Sequence, residues 1–269
     1  YHLLAPYVLA DTVGGNTRSE RYCFSGGYSA RMGQWTAAGE LLFRAEQEYR
    51  KRDPRMRGIV SDLTLRVGAA RDWGLERWAL AAEANIYKQN NDVVFHQEAG
   101  GVTEYQMTGL GTYNARFTAS ATSMYYKGGG IGLQIDAHPI SAAGWFGTVA
   151  LSAHHYERIS NEYNSLPLTT LYVARVGLTA GWKREGARCL AVFGHFDHTR
   201  KSGDEHVAGN AVGGEYPVLA DLTMYKHRLT DASLHAVYGE QNRICWYVRA
   251  AVGYRNSRER YAYPLRQMD

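Results

Sequence analysis

Apolar and polar residues alternate with a period of two through most of the chain, and this pattern limits the possible folds more than any other feature. In residues 35–50 one parity carries tryptophan, leucine, phenylalanine and tyrosine, whereas the other carries Glu40, Arg44 and Glu46. Successive side chains of a β-strand point to opposite faces of its sheet, so this segment predicts a strand with one apolar and one charged face. The helical spacing of apolar residues is not sustained. The sequence therefore predicts a nearly all-β fold.

The alternating segments are long as well as numerous. The pattern returns in residues 62–69, 78–89, 172–183 and 243–255. The predicted strands cover about ten to fifteen residues, whereas strands of ordinary sheets cover about five or six. Tilted strands that cross a membrane need about nine to eleven residues. We therefore predict an antiparallel, transmembrane, up-and-down β-barrel with about eleven visible strands.

The connections between the predicted strands alternate in length. Short turns fall near residues 32–35, 72–77, 141–144, 184–188 and 239–243. Long polar connections fall near residues 11–18, 51–58, 91–128, 159–167 and 199–225. Outer-membrane barrels have short periplasmic turns and longer extracellular loops, so the long connections are predicted to be extracellular.

The average composition conceals this pattern. The chain has 269 residues, a formal net charge of +4, 45% hydrophobic residues and a mean hydropathy of -0.40. These values exclude a disordered chain, and no apolar run approaches the roughly 18 residues of a membrane-spanning helix. The small, evenly spread positive charge does not indicate nucleic acid as a partner. The three cysteines lack metal-ligand spacing, so we expect neither a metal nor a cofactor.

The aromatic residues give a separate indication of membrane depth. All six tryptophans lie in or near the predicted short turns: Trp35, Trp73, Trp78, Trp145, Trp182 and Trp246. Several tyrosines approach the long connections instead: Tyr22, Tyr49, Tyr87, Tyr156, Tyr172, Tyr225 and Tyr254. Aromatic girdles mark both interfaces of a membrane barrel, so the tryptophans predict the periplasmic rim and the tyrosines the outer rim.

The charged parity is predicted to line the lumen. The tight turns predict three opposed pairs: Arg21 with Glu46, Arg66 with Glu83, and Arg175 with Asp197. An Arg or Lys facing lipid at the membrane midplane costs about 2–4 kcal/mol, so this face must point away from lipid. The predicted lumen-lining residues are Arg21, Glu40, Arg44, Glu46, Asp62, Arg66, Glu83, Arg175, Asp197 and Arg249.

Several motifs resemble one protein family. They are Tyr1-His-Leu-Leu, Pro6-Tyr, Asp11-Thr-Val-Gly-Gly, Glu20-Arg-Tyr, Tyr87-Lys-Gln-Asn-Asn-Asp, Thr108-Gly-Leu-Gly-Thr and Leu166-Pro-Leu. Across nearly the whole chain they resemble a Bacteroidota family of outer-membrane β-barrel proteins of unknown function. The resemblance implies an outer-membrane location in a Gram-negative bacterium and brings no catalytic residues.

Members of that family are longer than this chain, and bacterial single-chain barrels have an even number of strands. We therefore expect residues 1–269 to form one incomplete barrel domain. The intact barrel would have about 12–16 strands, enough to enclose either a solute path or a plug.

The leading hypothesis is a non-enzymatic, porin-like barrel that passes or binds a solute through its charged lumen. The first alternative is a non-conducting accessory or scaffold barrel for surface lipoproteins or an uptake complex. A barrel hydrolase and a soluble β-sandwich binding module are further alternatives. The hydrolase would draw its acid and base groups from His138, His154, His195, His235, Asp136, Asp197 and Asp231.

Four further segments are predicted to lie in loops. The basic segment Arg50–Arg57 is expected to be a solvated loop; the alternative is that it binds phosphates of lipopolysaccharide, the expected lipid partner. The glycine-rich residues 108–112 are expected to fold over or into the lumen. Gly128–Gly130 and Gly213–Gly214 are expected to be flexible loop positions.

Overall fold

A computed structural model describes residues 4–94, 104–117, 123–241 and 245–269. These residues form fourteen strands and one short 3₁₀ helix, Ala115–Phe117. In chain order the strands are β1 (Leu9–Asp11), β2 (Thr17–Met32), β3 (Trp35–Arg50), β4 (Arg55–Trp73), β5 (Glu76–Val94), β6 (Glu104–Gly109), β7 (Thr112–Tyr113), β8 (Ser123–Pro139), β9 (Ala143–Ser160), β10 (Leu166–Arg184), β11 (Arg188–Ala208), β12 (Val218–Gln241), β13 (Cys245–Tyr261) and β14 (Arg266–Met268). No helix in the described ranges is long and apolar enough to cross a membrane.

Eleven strands form one antiparallel sheet in the order β14-β13-β12-β11-β10-β9-β8-β5-β4-β3-β2. Each strand pairs with its neighbours along the chain, except that β5 pairs with β8. The residues between those two strands include β6 and β7, which join β1 in a separate three-stranded sheet. The predicted all-β, antiparallel arrangement is confirmed. The outermost strands of the order, β2 and β14, do not pair with each other, so the sheet is open.

Tight turns fix the register where the sequence predicted it best. Met32 pairs with Trp35 around a two-residue turn, in which Gly33 has a φ of 64°. A two-residue hairpin of type II′ needs a positive φ at its first central residue, and glycine adopts it without strain. The predicted opposition of Arg21 with Glu46 and of Arg66 with Glu83 is confirmed.

The third predicted opposition is wrong by two residues. Arg175 lies opposite Thr199, and Asp197 lies opposite Gly177. The error comes from the turn, because Arg184 pairs with Leu190 rather than with Arg188. A shift of two keeps every side chain on its predicted face, since the strand period is two.

The long connections are shorter than predicted. The strands continue through polar residues, leaving connections at 12–16, 51–54, 161–165 and 209–217. Backbone pairing does not need apolar side chains, so it extends beyond the segments where the alternation is clear. Of the predicted connection 91–128, residues 95–103 and 118–122 lie outside the described residues, as do 242 and 243 of the predicted turn 239–243.

The two faces of the large sheet differ in chemistry. We call one the charged face, because it carries Arg21, Glu40, Arg44, Glu46, Asp62, Arg66, Glu83, Arg175, Asp197 and Arg249. We call the other the apolar face, because its exposed residues include Leu41, Leu65, Leu80, Ile86, Ile131, Leu133, Leu151, Val176, Leu178, Leu234 and Val252.

A polypeptide insert packs against the charged face at the end where the longer connections lie. We call it the inner segment; it comprises residues 4–11 and 104–117. Its Asp11 is paired with Arg50 at the end of β3, and its Leu110 carbonyl accepts a hydrogen bond from Arg266 of β14 at 2.7 Å. In a flat sheet β3 and β14 would lie about 40 Å apart, nine strand spacings. Because both reach this small insert, the large sheet curves around it.

The buried hydrophobic core lies between the inner segment and the charged face. It consists of Leu4, Tyr7, Leu9, Tyr87, Met124, Tyr126, Tyr156, Leu166, Leu168, Leu171, Ala208, Tyr225 and Tyr261. The prediction that Tyr87, Tyr156 and Tyr225 mark an outer rim is therefore wrong. They share the parity of the charged residues on their strands, and the inner segment covers them.

The glycine run Gly128–Gly130 lies within β8, so the prediction of a flexible loop there is wrong. A Cβ on Gly128 would collide with the carbonyl oxygen of His155, and one on Gly129 with that of Asn85. The glycines therefore allow unusually close approach of neighbouring strands. Gly213 and Gly214, with φ of 62° and 87°, do lie in a connection.

Replacement of Gly129 by Ala should destabilise the sheet by about 1–3 kcal/mol, as overpacking does in tightly packed sites. The change Gly132→Ala in the same strand is the control, because its Cβ would lie 3.4 Å from Cβ of Glu83, an ordinary contact. Urea unfolding of the two variants and the wild type measures the difference. Equal free energies of unfolding for the two variants would contradict the close approach.

Candidate functional site

A concave site of about 260 Å³ lies on the charged face between β4 and β11. Its floor is made of small residues supplied by successive strands: Ala81, Gly132, Ala150 and Gly177. Its polar lining includes Arg66, Glu83, Arg175, Asp197, His195 and Thr179. The absence of large side chains on the floor creates the depression, and the charged residues form its walls.

Each wall carries an arginine and a carboxylate. Arg66 Nη2 lies 2.6 Å from Glu83 Oε2, and Arg66 Nη1 lies 3.5 Å from Glu40 Oε2. On the other wall, Arg175 Nε lies 2.6 Å from Asp197 Oδ2. This contact is diagonal across the strands, so the pair forms despite the shifted register.

The cations are the more accessible members of these pairs. The side chain of Arg175 is 60% exposed and that of Asp197 11%, while Arg66 is 45% and Glu83 28% exposed. A solute entering the depression therefore meets both guanidinium groups before the carboxylates of Glu83 and Asp197, whereas Glu40, beside Arg66, is itself 43% exposed. Guanidinium groups bind carboxylate and phosphate oxygens through paired hydrogen bonds.

A second charged network continues along the same face. Glu46 accepts hydrogen bonds from both Arg21 and Arg44, and Arg44 also contacts Asp62 at 2.9 Å. Asn85 donates to Asp62 at 2.6 Å. The structure thus joins nine of the ten predicted lumen residues into three groups. The tenth, Arg249, instead contacts His235 Nδ1 at 3.1 Å.

All six tryptophans lie on the apolar face, close to the short connections. Trp73 and Trp145 are 79% and 69% exposed. Trp145 lies opposite Trp182 on the neighbouring strand. Their position beside the short connections agrees with the sequence analysis, and their role as a membrane-interface girdle stays a prediction.

The histidines considered for catalysis lie on the charged face, but they make other contacts. His195 Nδ1 is 2.9 Å from Thr179 Oγ1, and His235 Nε2 is 2.9 Å from Ser233 Oγ. His138 stacks on Phe146 and His154 on Tyr156. The three candidate carboxylates contact residues other than these histidines: Asp136 contacts Gln134 and Thr148, Asp197 contacts Arg175 and Thr199, and Asp231 contacts Arg255.

One hydrogen-bonded chain escaped the sequence analysis. His206 Nε2 lies 2.9 Å from Thr170 Oγ1, and His206 Nδ1 lies 2.5 Å from Asp221 Oδ1. A hydroxyl, an imidazole and a carboxylate in this order can activate a nucleophile. Here Thr170 is only 7% exposed, so a substrate has little access to its hydroxyl. The three residues lie on the neighbouring strands β10, β11 and β12. The sequence analysis treated residues 199–225 as a long connection. Recognising that strands continue beyond residue 199 could have placed His206 and Asp221 side by side.

An ion pair anchors the inner segment. Arg50 Nη2 lies 2.6 Å from Asp11 Oδ2, and both side chains are 4% exposed. Arg50 also donates to the carbonyl oxygens of Pro54, at 2.8 Å, and Gly14. Burial opposes ionisation of Asp11, but hydrogen bonds from Arg50 and from two backbone amides hold the pKa of its carboxyl below its ordinary value. Of the basic segment 50–57, Lys51, Arg52, Arg55 and Arg57 remain exposed, and Arg55 is paired with Asp53 at 3.1 Å.

In the described ranges, no three His, Cys, Asp or Glu side chains form a group suited to a metal ion. The described cysteines, Cys23, Cys189 and Cys245, do not form disulfides.

Comparison with known families gives one result. A family of unknown function, DUF6850, matches residues 1–269. The chain belongs to this family. No curated protein and no solved structure matches it. The charged depression and the inner segment are thus features of a DUF6850 chain, and the family brings no assigned activity to either.

The anchor between Asp11 and Arg50 should weaken in acid. Because the folded-state pKa of Asp11 is depressed, its ionised form stabilises the anchor above the ordinary carboxyl pKa of about 3.9. That contribution is lost as the pH falls from about 4 through the lower folded-state pKa. Hydrogen exchange of residues 4–11 against pH measures this loss.

The variant Asp11→Asn supplies the matched comparison. Its residues 4–11 should exchange their amide hydrogens faster than those of the wild type already at neutral pH. The increase should correspond to about 3 kcal/mol of lost local stability, because the variant leaves Arg50 buried without a counter-charge. Its remaining pH dependence should be smaller than that of the wild type. Unchanged protection in the variant would show that the ion pair does not hold the segment.

Proposed function

We propose that this chain forms the wall of a β-barrel in the outer membrane of a Gram-negative bacterium, and that its charged face binds or passes a small polar solute. The observation that carries the proposal is the division of the sheet into two faces. One face exposes a continuous apolar surface bounded at one end by six tryptophans, and the other carries arginine–carboxylate pairs.

The apolar face supports a lipid environment. Its residues Leu80, Ile131 and Val252 are 51%, 69% and 69% exposed, and they belong to strands spread across the sheet. Exposed apolar patches on soluble monomers rarely exceed a few hundred Å². Lipid contact on this side removes that surface from water, whereas a soluble sandwich would need a second sheet to cover it.

The unpaired edges of the large sheet indicate that the proposed barrel contains further strands. In hydrocarbon every backbone N–H and C=O group must be paired, so an open sheet edge cannot face lipid. The proposal therefore includes further strands that pair with β2 and β13 and close the barrel. A total of about 12–16 strands fits the expected range for such proteins.

The charged depression supports an anionic or zwitterionic solute. Arg66 and Arg175 present their guanidinium groups from opposite walls, while Glu83 and Asp197 lie deeper. A small solute that carries a carboxylate or phosphate group can therefore bind the exposed end of either arginine.

Single-channel recording of the full-length protein in planar bilayers tests passage. We expect an ionic current whose preference for anions falls about fivefold in Arg175→Gln, and further in the double variant Arg66→Gln, Arg175→Gln. A unit charge at about 4 Å in a water-filled lumen is worth about 1 kcal/mol. Arg57→Gln, on the apolar face near the longer connections, should leave the preference unchanged. A protein that inserts but conducts nothing, both as wild type and as Asp11→Asn, would exclude a pore.

A non-conducting accessory barrel is the second candidate, and one observation favours it. The inner segment covers the charged face near the longer connections, and its Tyr7 and Gln106 are 2% and 0% exposed. A lumen filled in this way serves as a scaffold, with the exposed Lys51, Arg52 and Arg57 available to lipopolysaccharide and the connections available to surface lipoproteins or an uptake complex.

The conductance of a variant with a weakened Asp11–Arg50 ion pair distinguishes a pore blocked by the inner segment from a non-conducting scaffold. Conductance that rises in Asp11→Asn relative to wild type would identify the inner segment as a removable obstruction. A silent wild type together with a silent Asp11→Asn variant would support the scaffold.

A further inference from the structure

The apolar face contains one groove that differs from the rest of its surface. The groove measures about 760 Å³ and lies at the end of the short connections. It is lined chiefly by Trp35, Trp73, Trp78, Arg71, Leu80 and Ile135. An arginine surrounded by three tryptophans combines a positive charge with a large apolar contact surface.

Neighbouring strands hold Arg71 between aromatic side chains. Arg71 lies opposite Trp35 on β3 and opposite Trp78 on β5. Its guanidinium carbon is 5.4 Å from the centre of the Trp35 ring, within the range of a cation–π contact. Arg71 Nη2 donates to Gln34 Oε1 at 2.6 Å. These contacts orient the guanidinium group without neutralising its charge.

The charge of Arg71 has no acidic partner in the part of the chain that the structure describes, since no carboxylate there lies within 4.0 Å of it. It contrasts with Arg66 and Arg77 on the charged face, which contact Glu83 and Asp72. A positive group in an otherwise apolar groove is therefore available to an anion from outside the protein.

The groove offers one contact surface for the headgroup of a phospholipid and another for its acyl chains. Leu80 and Ile135 lie opposite each other, and Leu80 is two residues further from the short connection than Trp78. They provide an apolar surface for acyl chains, while Arg71 lies nearer the end of the sheet. On a barrel exterior the cost of an arginine falls from about 2–4 kcal/mol at the midplane to about 0–1 near the interface. Arg71 thus lies at the depth of the headgroups.

We propose that Arg71, Trp35, Trp73 and Trp78 bind the headgroup phosphate of one anionic glycerophospholipid in the periplasmic leaflet. This inference rests on the proposed membrane location, because only then does the groove face lipid. The phosphate contacts the guanidinium group, the tryptophan rings pack against the glycerol region, and the acyl chains lie along Leu80 and Ile135. The charge selects an anionic lipid, and the apolar lining requires acyl chains.

Native mass spectrometry of the full-length protein in detergent, titrated with phosphatidylglycerol or phosphatidylcholine, tests the site. Wild type should retain one tightly bound phosphatidylglycerol. Arg71→Gln should weaken that binding about tenfold, as expected for loss of one charge-assisted interaction. Arg188→Gln is the matched control, because Arg188 lies on the same face and at the same end of the sheet but is already paired with Glu240 at 3.1 Å. It should bind phosphatidylglycerol as wild type does.

The position of the bound lipid next to the tryptophans is tested by tryptophan fluorescence in vesicles of bromine-labelled phosphatidylglycerol mixed with phosphatidylcholine. Wild type should be quenched more strongly than Arg71→Gln at equal lipid composition, and inorganic phosphate should not reverse the quenching. Reversal by phosphate would show a simple anion site and overturn the requirement for a lipid.

The outcomes distinguish the two proposals. Protein that inserts into vesicles but binds phosphatidylglycerol equally in wild type and Arg71→Gln overturns the lipid site and leaves the barrel intact. Equal binding of phosphatidylglycerol and phosphatidylcholine by wild type also overturns it. Full-length protein that stays in the aqueous phase overturns both proposals.

Discussion

The alternation of side chains across a β-strand is the constraint on which the rest of this structure depends. Because every second residue points to the same face, one sequence can place Glu46 and Arg44 on the charged face while Phe43 and Ala45 occupy the other. Hydrogen bonding between strands then repeats the division across the sheet. The charged depression and the tryptophan-rich end are both consequences of the same period, expressed on opposite faces.

Features with a short-range signal could be predicted from the sequence. The strands, their faces and the Arg21–Glu46 pair follow from alternation and from a two-residue turn. The longer turn after Arg184 carries no comparable signal, so the register there was wrong by two. The error did not move Arg175 to the other face, because a displacement of two residues equals one full period. Face assignment is therefore more robust than residue pairing.

Features that depend on distant segments could not be predicted. Leu9 pairs with Gln106, and no local pattern links the two. The burial of Tyr87 follows from the inner segment that covers it, although its parity already placed it with Glu83. The depression between Arg66 and Arg175 likewise depends on which small residues become neighbours across several strands. Such sites arise from the assembled sheet rather than from a motif.

The position of the inner segment also constrains how the chain can fold. Strand β1 forms its hydrogen bonds with β6, and four long strands separate the two in sequence. The entropy lost in closing a loop increases with its length, although slowly, so this pairing gains little until the intervening hairpins have formed. Yet strands near both edges of the sheet, β3 and β14, contact the segment, so the curved sheet and the inner segment must be completed together. Assembly of this molecule therefore couples the curvature of the large sheet to the docking of the inner segment.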